Sequence, residues 1–189
     1  MRLGIDLDGV VADFNAGWIR HYNQQFGSEI ALDAVDHWDA IPSLTHFENM
    51  SGFWKWARDL DGHSLFRHLE PYPGAIETLT ALARAHHRIV ILTTKPGFAV
   101  SDTFSWIGDH KIPTREVHIL EEKWRVDCDV YLEDAQYNLE SLVEHRPQAF
   151  VCRFVRPWNS PVAGAHDIYD WLEFQALISG GLTSNPVPG

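Results

Sequence analysis

Two carboxylates close the first apolar run of the chain, Asp6 and Asp8 in GIDLDGVVADF, residues 4–14. Acids are poor strand formers and costly to bury unpaired, so their position asks for a compensating partner. Later runs end in groups that could supply one. RIVILT (88–93) ends in Thr93 and runs into Thr94 and Lys95; DVYLE (129–133) ends in Glu133 ahead of Asp134; Lys123 lies between EVHIL and DVYLE. Acid, hydroxyl, amine and acid gathered at one edge suit metal-assisted phosphoryl transfer. A carboxylate can attack phosphorus, and the aspartyl-phosphate formed splits one hard hydrolysis into two easier steps. A second acid can protonate the leaving oxygen and later deprotonate water. Three carboxylates repel one another unless a hard cation such as Mg²⁺, which favours oxygen ligands, binds among them. A threonine hydroxyl and a lysine ammonium can hold the non-bridging oxygens, and Gly9 lets the backbone approach the ligand closely.

The elements that must position these groups are legible as alternating patterns. RLGID (2–6) reads as a short buried strand. Phe14, Trp18, Tyr22 and Phe26 then recur every four residues, one face of a helix that Gly27 can stop. Residues 28–70 are rich in tryptophan, acids and histidine and show no clear strand, which makes 16–72 a helical insertion closed by Pro71 and Pro73. Beyond it the spacing predicts a helix over 74–85, strand 88–93, a helix over 98–110, strand 116–120, strand 129–133, helix 136–145, strand 149–154 and a last helix over 167–178. Apolar β-branched runs alternating with helices mean βαβ units and an α/β fold with a parallel, Rossmann-like sheet covered on both faces. Ligands gather at the carboxyl ends of such strands. The expected organisation is a core of residues 1–15 and 73–180, a helical cap over 16–72 and a frayed tail over 181–189, whose GGLTSNPVPG is turn-forming.

At 189 residues with 45% hydrophobic and 22% charged residues, the chain suits one globular domain with an inserted subdomain. A formal charge of −11 argues against duplex nucleic acid, which needs a basic face, but not against a small phosphorylated ligand. No apolar run approaches the about 20 residues of a membrane span, and Asp6 interrupts any signal-like start. Cys128 and Cys152 form no CxxC pair and no zinc spacing, and the eleven histidines show no HExxH. Reduced cysteines in a cytoplasmic protein are the expectation.

DLDGVVADF resembles the first motif of the haloacid dehalogenase-like phosphohydrolases, ILTT the second, Lys123 the third and DVYLED the fourth, in order over residues 2 to about 156. Within that superfamily the chain is similar to the 5′(3′)-deoxyribonucleotidases. The similarity rests on DxDGVxADF, a small helical cap directly after it, the PYPGAIETL entry into the next helix, and a lysine eleven residues before Asp134. It also extends to Pro157-Trp158-Asn159, which matches a PWN of bacterial members. The resemblance implies Asp6 as nucleophile and metal ligand, and Asp8 as general acid/base that binds Mg²⁺ through its backbone carbonyl. Asp134 would be the remaining direct metal ligand. It implies phosphate contacts from Thr93 and Lys123 with Thr94 nearby, and a base pocket from Phe14, Phe53 and Trp54. The family commonly pairs aspartates in its fourth motif; here Glu133 precedes Asp134, and its longer side chain should reach the metal through water at most. Lys95 has no counterpart that the family assigns.

The leading expectation is a Mg²⁺-dependent phosphomonoesterase of (deoxy)nucleoside monophosphates. A phosphatase of sugar or other small phosphoesters on the same core is the alternative, and a phospho-ligand binder without turnover is the third. Clustered aromatics such as Phe53, Trp54 and Trp56 serve core packing as readily as base stacking, and Phe14 shares the helical spacing of its core neighbours. Base and sugar preference, 5′ versus 3′ phosphate and the choice between monomer and homodimer stay open.

Overall fold

The apolar runs that alternate with helices assemble one sheet. The structure, a computed structural model, describes residues 1–181. Six parallel strands, β1 (Arg2–Ile5), β2 (Arg88–Thr93), β3 (Thr114–Ile119), β4 (Val130–Glu133), β5 (Phe150–Phe154) and β6 (Ala165–Ile168), lie in the order β3-β2-β1-β4-β5-β6. This is the Rossmann-like α/β architecture that the alternation predicts. Residue parity assigns the faces. Ile89, Ile91, Val130, Leu132 and Cys152 join one buried cluster, which also holds helices α4 (Ala75–Arg84) and α7 (Trp171–Ser179). Val90, Leu92, Tyr131 and Val151 join the other, against Leu139 and Leu142 of α6 (Gln136–His145). Because both faces are covered, the central strands read as continuous apolar runs.

The chain leaves β1, builds outward through β2 and β3, then returns to place β4 against the other side of β1. The strand order therefore reverses between β1 and β4, and the crevice beyond their carboxyl ends is where such sheets bind ligands. Asp6 and Glu133-Asp134 stand at those two ends.

Between β1 and β2 the chain carries α1 (Phe14–Phe26), α2 (Ala40–Leu44) and α3 (Met50–Ala57). Asp13 caps α1 by accepting the Ala16 amide, and Gly27 ends it in the left-handed conformation at φ 63°. Trp18, Ile19 and Tyr22 are buried on the inward face, whereas Phe26 at its end is 43% exposed. The aromatic-rich composition is explained by an aromatic core: Trp18 and Trp56 pack about Phe53, and Tyr22 about Phe47. Entry and exit of the insertion are tied together, Asp13 N donating to Glu70 O (2.9 Å) and Tyr72 N to Val11 O (2.8 Å).

Two expectations shift. The segment read as the start of the last helix is instead β6, which pairs with β5; the helix begins at Trp171, where Asp170 accepts the Glu173 amide at 2.8 Å. A short, half-polar edge strand has almost no periodicity to read. β3 begins at Thr114 rather than 116, with a register irregularity opposite Ile89 and Val90. Of the tail expected over 181–189, residues 182–189 lie outside the described residues. Cys128 and Cys152 are free and buried, and no helix among the described residues is long and apolar enough to cross a membrane.

Candidate active site

Asp6 directly follows β1, and the turn behind it is drawn tight by Leu7, whose carbonyl accepts from Val10, Val11 and Ala12. Lys123, in the helical turn Lys123–Arg125, reaches across the carboxyl ends of the strands and is buried between two acids. Its Nζ lies 2.8 Å from Asp6 Oδ1 and 2.5 Å from Glu133 Oε2. Burial alone would lower the lysine's pKa, but the Asp6 and Glu133 carboxylates raise it, so it stays charged. Glu133 is saturated. Oε1 accepts the Asp134 and Ala135 amides at 3.1 and 3.0 Å, and Oε2 accepts Lys123 and the Asn138 amide.

Carboxylate oxygens of Asp6, Glu133 and Asp134 lie within 4.8 Å of one another, all buried. Burial, then the charge of Asp6, pushes the Asp134 carboxyl up to about 7, and the same two causes raise Glu133. Asp134 Oδ1 is buried and has no hydrogen-bond partner. An all-oxygen donor set, mutual repulsion and an unpartnered buried oxygen fit a hard divalent cation. With Glu133 occupied by four donors, Asp6 and Asp134 are the carboxylates free to hold one.

Gly9 makes this packing possible. Its φ is 78°, and a Cβ there would sit 2.1 Å from Asp134 Oδ2, so only glycine lets the loop pass under that carboxylate. Asp134 is also held from the loop after β5. Trp158 Nε1 donates to Oδ2 at 2.8 Å, and Asn159 Nδ2 donates to the Asp134 carbonyl at 2.8 Å. Arg156 donates from Nε to the Gly9 carbonyl at 2.7 Å, with its guanidinium over the Tyr72 and Phe154 rings.

Asp8 lies at the cleft floor with its carboxylate against Lys95 Nζ, which is also 4.2 Å from the Phe66 ring centroid. Burial raises the Asp8 pKa against the opposing pull of Lys95. Thr93 Oγ1 is buried without a partner, whereas Thr94 Oγ1 donates to Leu120 O at 2.9 Å. Thr93 thus has a free hydroxyl at the site, while that of Thr94 fastens the loop.

A cleft of about 500 Å³ opens over these groups. Asp6, Asp8, Thr93, Lys95, Lys123 and Asp134 line its polar end; Phe14, with Val35, Ile41, Met50, Trp54 and Phe66 from the insertion, lines the rest. Trp38 and Tyr137 meet edge-to-face at its wall, centroids 5.8 Å apart. Phe53 is a correction: it is fully buried, packs edge-on against Phe14 (6.2 Å) and Trp54 (4.9 Å), and does not line the cleft. It sits behind the lining, where an aromatic core needs its largest apolar ring.

Sequence reasoning left Lys95 without a role and missed what Arg156, Trp158, Asn159, Asn138, Trp38 and Tyr137 do. Lys95, directly behind a strand-end threonine pair, and Trp158 and Asn159, within Pro157-Trp158-Asn159, carry a local signal. All but Lys95 act through contacts 24 or more residues away or from an apparently surface helix.

The sequence profile of 5′ nucleotidase, deoxy (pyrimidine), cytosolic type C protein (NT5C) matches residues 1–183. A Chlorobaculum tepidum protein provisionally named a 5′(3′)-deoxyribonucleotidase is 28% identical over 153 residues, 74% of this chain and 72% of that protein. The Mus musculus mitochondrial 5′(3′)-deoxyribonucleotidase is 24% identical over 154 residues, which span 71% of this chain and 64% of the mouse protein, just under two thirds. Among solved structures, a haloacid dehalogenase family hydrolase from Deinococcus radiodurans, with bound phosphate and sodium, superposes with a TM-score of 0.62 at 14% identity, covering 95% of each chain.

Proposed function

The chain belongs to the 5′ nucleotidase, deoxy (pyrimidine), cytosolic type C family, haloacid dehalogenase-like phosphoric monoester hydrolases, and on that premise we propose that it is a Mg²⁺-dependent phosphatase of (deoxy)nucleoside monophosphates. Asp6 attacks phosphorus to form an aspartyl-phosphate. Asp8 protonates the leaving oxygen and then takes a proton from the water that hydrolyses the intermediate. Thr93 Oγ1 and Lys123 Nζ hold the non-bridging oxygens, and Lys95 keeps the Asp8 carboxylate at the cleft floor. Asp6, Asp134 and the Asp8 carbonyl would hold Mg²⁺, which supplies Lewis-acid stabilisation of charge on the transferred phosphoryl group. Glu133 serves Lys123 rather than the cation, since four donors already occupy it.

The observation that carries the reading is the juxtaposition of Asp6, Lys123 and the unpartnered Asp134 oxygen beneath an aromatic cleft. The apolar rings of Phe14, Trp54 and Phe66 suit a flat base better than a sugar. The names of the relatives from C. tepidum and mouse, and the phosphate and sodium in the D. radiodurans hydrolase, point the same way. We read the insertion over 16–72 as the cap that supplies this aromatic wall, and two free buried thiols accord with a cytoplasmic setting. The test is phosphate release from a panel of nucleoside monophosphates and sugar phosphates, with Mg²⁺ and with EDTA. Release from nucleotides that EDTA abolishes supports the proposal. Preference for sugar phosphates replaces the substrate class, and no metal-dependent release from any compound rejects it.

A further inference from the structure

We infer that Trp158 is a positioning residue that fixes which oxygen of Asp134 faces the cation, and thereby makes the site select Mg²⁺ over Ca²⁺. The inference rests on the reading of Asp134 as a metal ligand. The two oxygens of that carboxylate have unlike surroundings. Oδ2 accepts the Trp158 indole N–H at 2.8 Å, and it lies on the side where a Cβ on Gly9 would approach within 2.1 Å. Oδ1 is buried without a partner. The indole N–H takes up one lone pair of Oδ2, whereas Oδ1 has no donor at all, so Oδ1 is the oxygen that this arrangement presents to a cation.

The indole is itself anchored. Asn159, the next residue, donates Nδ2 to the Asp134 carbonyl and accepts at Oδ1 from Arg153 Nη1 at 2.8 Å and the Arg156 amide at 3.1 Å. Arg153 is buried and forked onto Asp167 at 2.7 and 2.6 Å. The loop carrying Trp158 is thus tied to β6 on one side and to Asp134 on the other. Side chains with fixed outer partners hold a ligand in one orientation, and their loss commonly costs about 10- to 100-fold in metal affinity.

Selectivity follows from the number of oxygens offered. Mg²⁺ takes single oxygens in near-ideal octahedral geometry, whereas Ca²⁺ accepts more ligands and bidentate carboxylates. A carboxylate whose Oδ2 is hydrogen-bonded to an indole and crowded by the Gly9 loop favours coordination through the single oxygen Oδ1. Removing the indole N–H frees Oδ2, which loosens the geometry that Mg²⁺ requires and offers Ca²⁺ a second oxygen.

The experiment is calorimetric titration of the metal-free protein with MgCl₂ and, separately, CaCl₂, on wild type, Trp158→Phe, Trp158→His and Asp134→Asn. Trp158→Phe should weaken Mg²⁺ binding about tenfold and Ca²⁺ binding less, so the ratio of the two affinities falls; Trp158→His, which keeps an N–H donor, should restore part of it. An equal loss for both ions, which leaves the ratio unchanged, means that the indole only fills space and overturns the inference. If wild type binds neither ion, the metal-dependent reading itself fails; if it binds and Asp134→Asn binds equally well, Asp134 is not the ligand and the inference falls alone. Nitrogen-15 spectra of the wild type test the orientation without a variant. The Trp158 indole proton should keep its hydrogen-bonded shift when Mg²⁺ saturates the site, and its release would refute the inference.

Discussion

Lys123→Met keeps the length and apolar stem of the side chain and removes only its charge. That charge is buried between Asp6 Oδ1 at 2.8 Å and Glu133 Oε2 at 2.5 Å, with Asp134 in the same cluster. Removing one partner of a buried pair leaves the other charge desolvated, a loss of about 3–5 kcal/mol. The variant strands two carboxylates rather than one, so the upper part of that range applies. Set against a total stability of about 5–15 kcal/mol for a domain, the variant should be severely but measurably weakened in EDTA. The acids can recover by protonation. Burial and mutual repulsion already raise Glu133 in the presence of the lysine, and without it the folded chain holds protons still more tightly than the unfolded one. Stability then falls as pH rises, so the deficit is largest near pH 8 and shrinks toward pH 5. A divalent cation is the other remedy: at 100 times its dissociation constant it would return about 2.7 kcal/mol. The assay is urea unfolding of wild type and variant at pH 8 and pH 5, with EDTA and with Mg²⁺. A loss below about 1 kcal/mol in EDTA at pH 8 would refute the reasoning, being the magnitude of a mere surface pair. So would a loss indifferent to both pH and Mg²⁺.

Asp6→Asn should abolish phosphate release while the thermal midpoint stays close to wild type; appreciable residual turnover would mean that another group attacks phosphorus. Phe14→Leu and Phe53→Leu should separate substrate contact from packing. The first, which lines the cleft, should raise KM for a nucleotide about tenfold, from base–aromatic stacking worth ~1–3 kcal/mol. The second, fully buried, should lower stability by about 1–2 kcal/mol with KM unchanged. Glu116 accepts both Arg2 guanidinium nitrogens at 2.9 and 2.8 Å and His118 Nε2 at 2.9 Å, and these bonds hold its carboxyl down at about 2. A depressed carboxyl stabilises above its unfolded pKa and loses that contribution as pH falls through the folded value. Glu116→Gln should therefore cost about 1 kcal/mol at pH 7, a difference that narrows between pH 5 and pH 2 in urea melts. Inorganic phosphate should bind the protein about 5- to 150-fold more tightly in Mg²⁺ than in EDTA by calorimetry; equal affinities would show that cation and phosphate do not share a site.

How far these groups could be read in advance depends on how local their signals are. β2 and α6 fall where the pattern puts them, because a four-residue apolar run bounded by Arg88 and Thr93 and a capless but periodic helix carry their own evidence. Asp6, Thr93, Lys123 and Asp134 were legible because a parallel sheet brings strand ends together whatever the connections do. β6 was not, since a four-residue edge strand has neither a continuous apolar run nor a clear alternation. Phe53 and Trp54 illustrate the limit most plainly. They are adjacent on α3 and chemically alike, yet one step of helical rotation sends the first into the core and the second to the cleft wall. Trp158 and Asn159 were visible as a motif but not as a mechanism, because the residue they hold is 24 and 25 positions away.

The cleft floor also sets a charge balance that no single motif contains. With all four acids ionised, Asp6, Asp8, Glu133 and Asp134 face two buried ammonium groups, Lys95 and Lys123, which leaves two negative charges, the amount one divalent cation neutralises. The two lysines are not equivalent. Lys123 is shared by Asp6 and Glu133 and stays charged, whereas burial lowers the pKa of Lys95 against the pull of Asp8 and, less strongly, of Asp6. A phosphate dianion entering the metal-free floor would meet that excess on a chain whose formal charge is −11. A bound cation would remove the excess before or together with phosphate entry, and by reciprocity phosphate would then strengthen the cation's hold. Glu133 is the residue that makes this balance work. By saturating itself with Lys123, two amides and Asn138, it anchors the lysine without competing for the metal. A shorter aspartate at 133 would be one methylene further from the same four donors, and the lysine would be held by Asp6 alone, the carboxylate that the proposed mechanism needs free to attack.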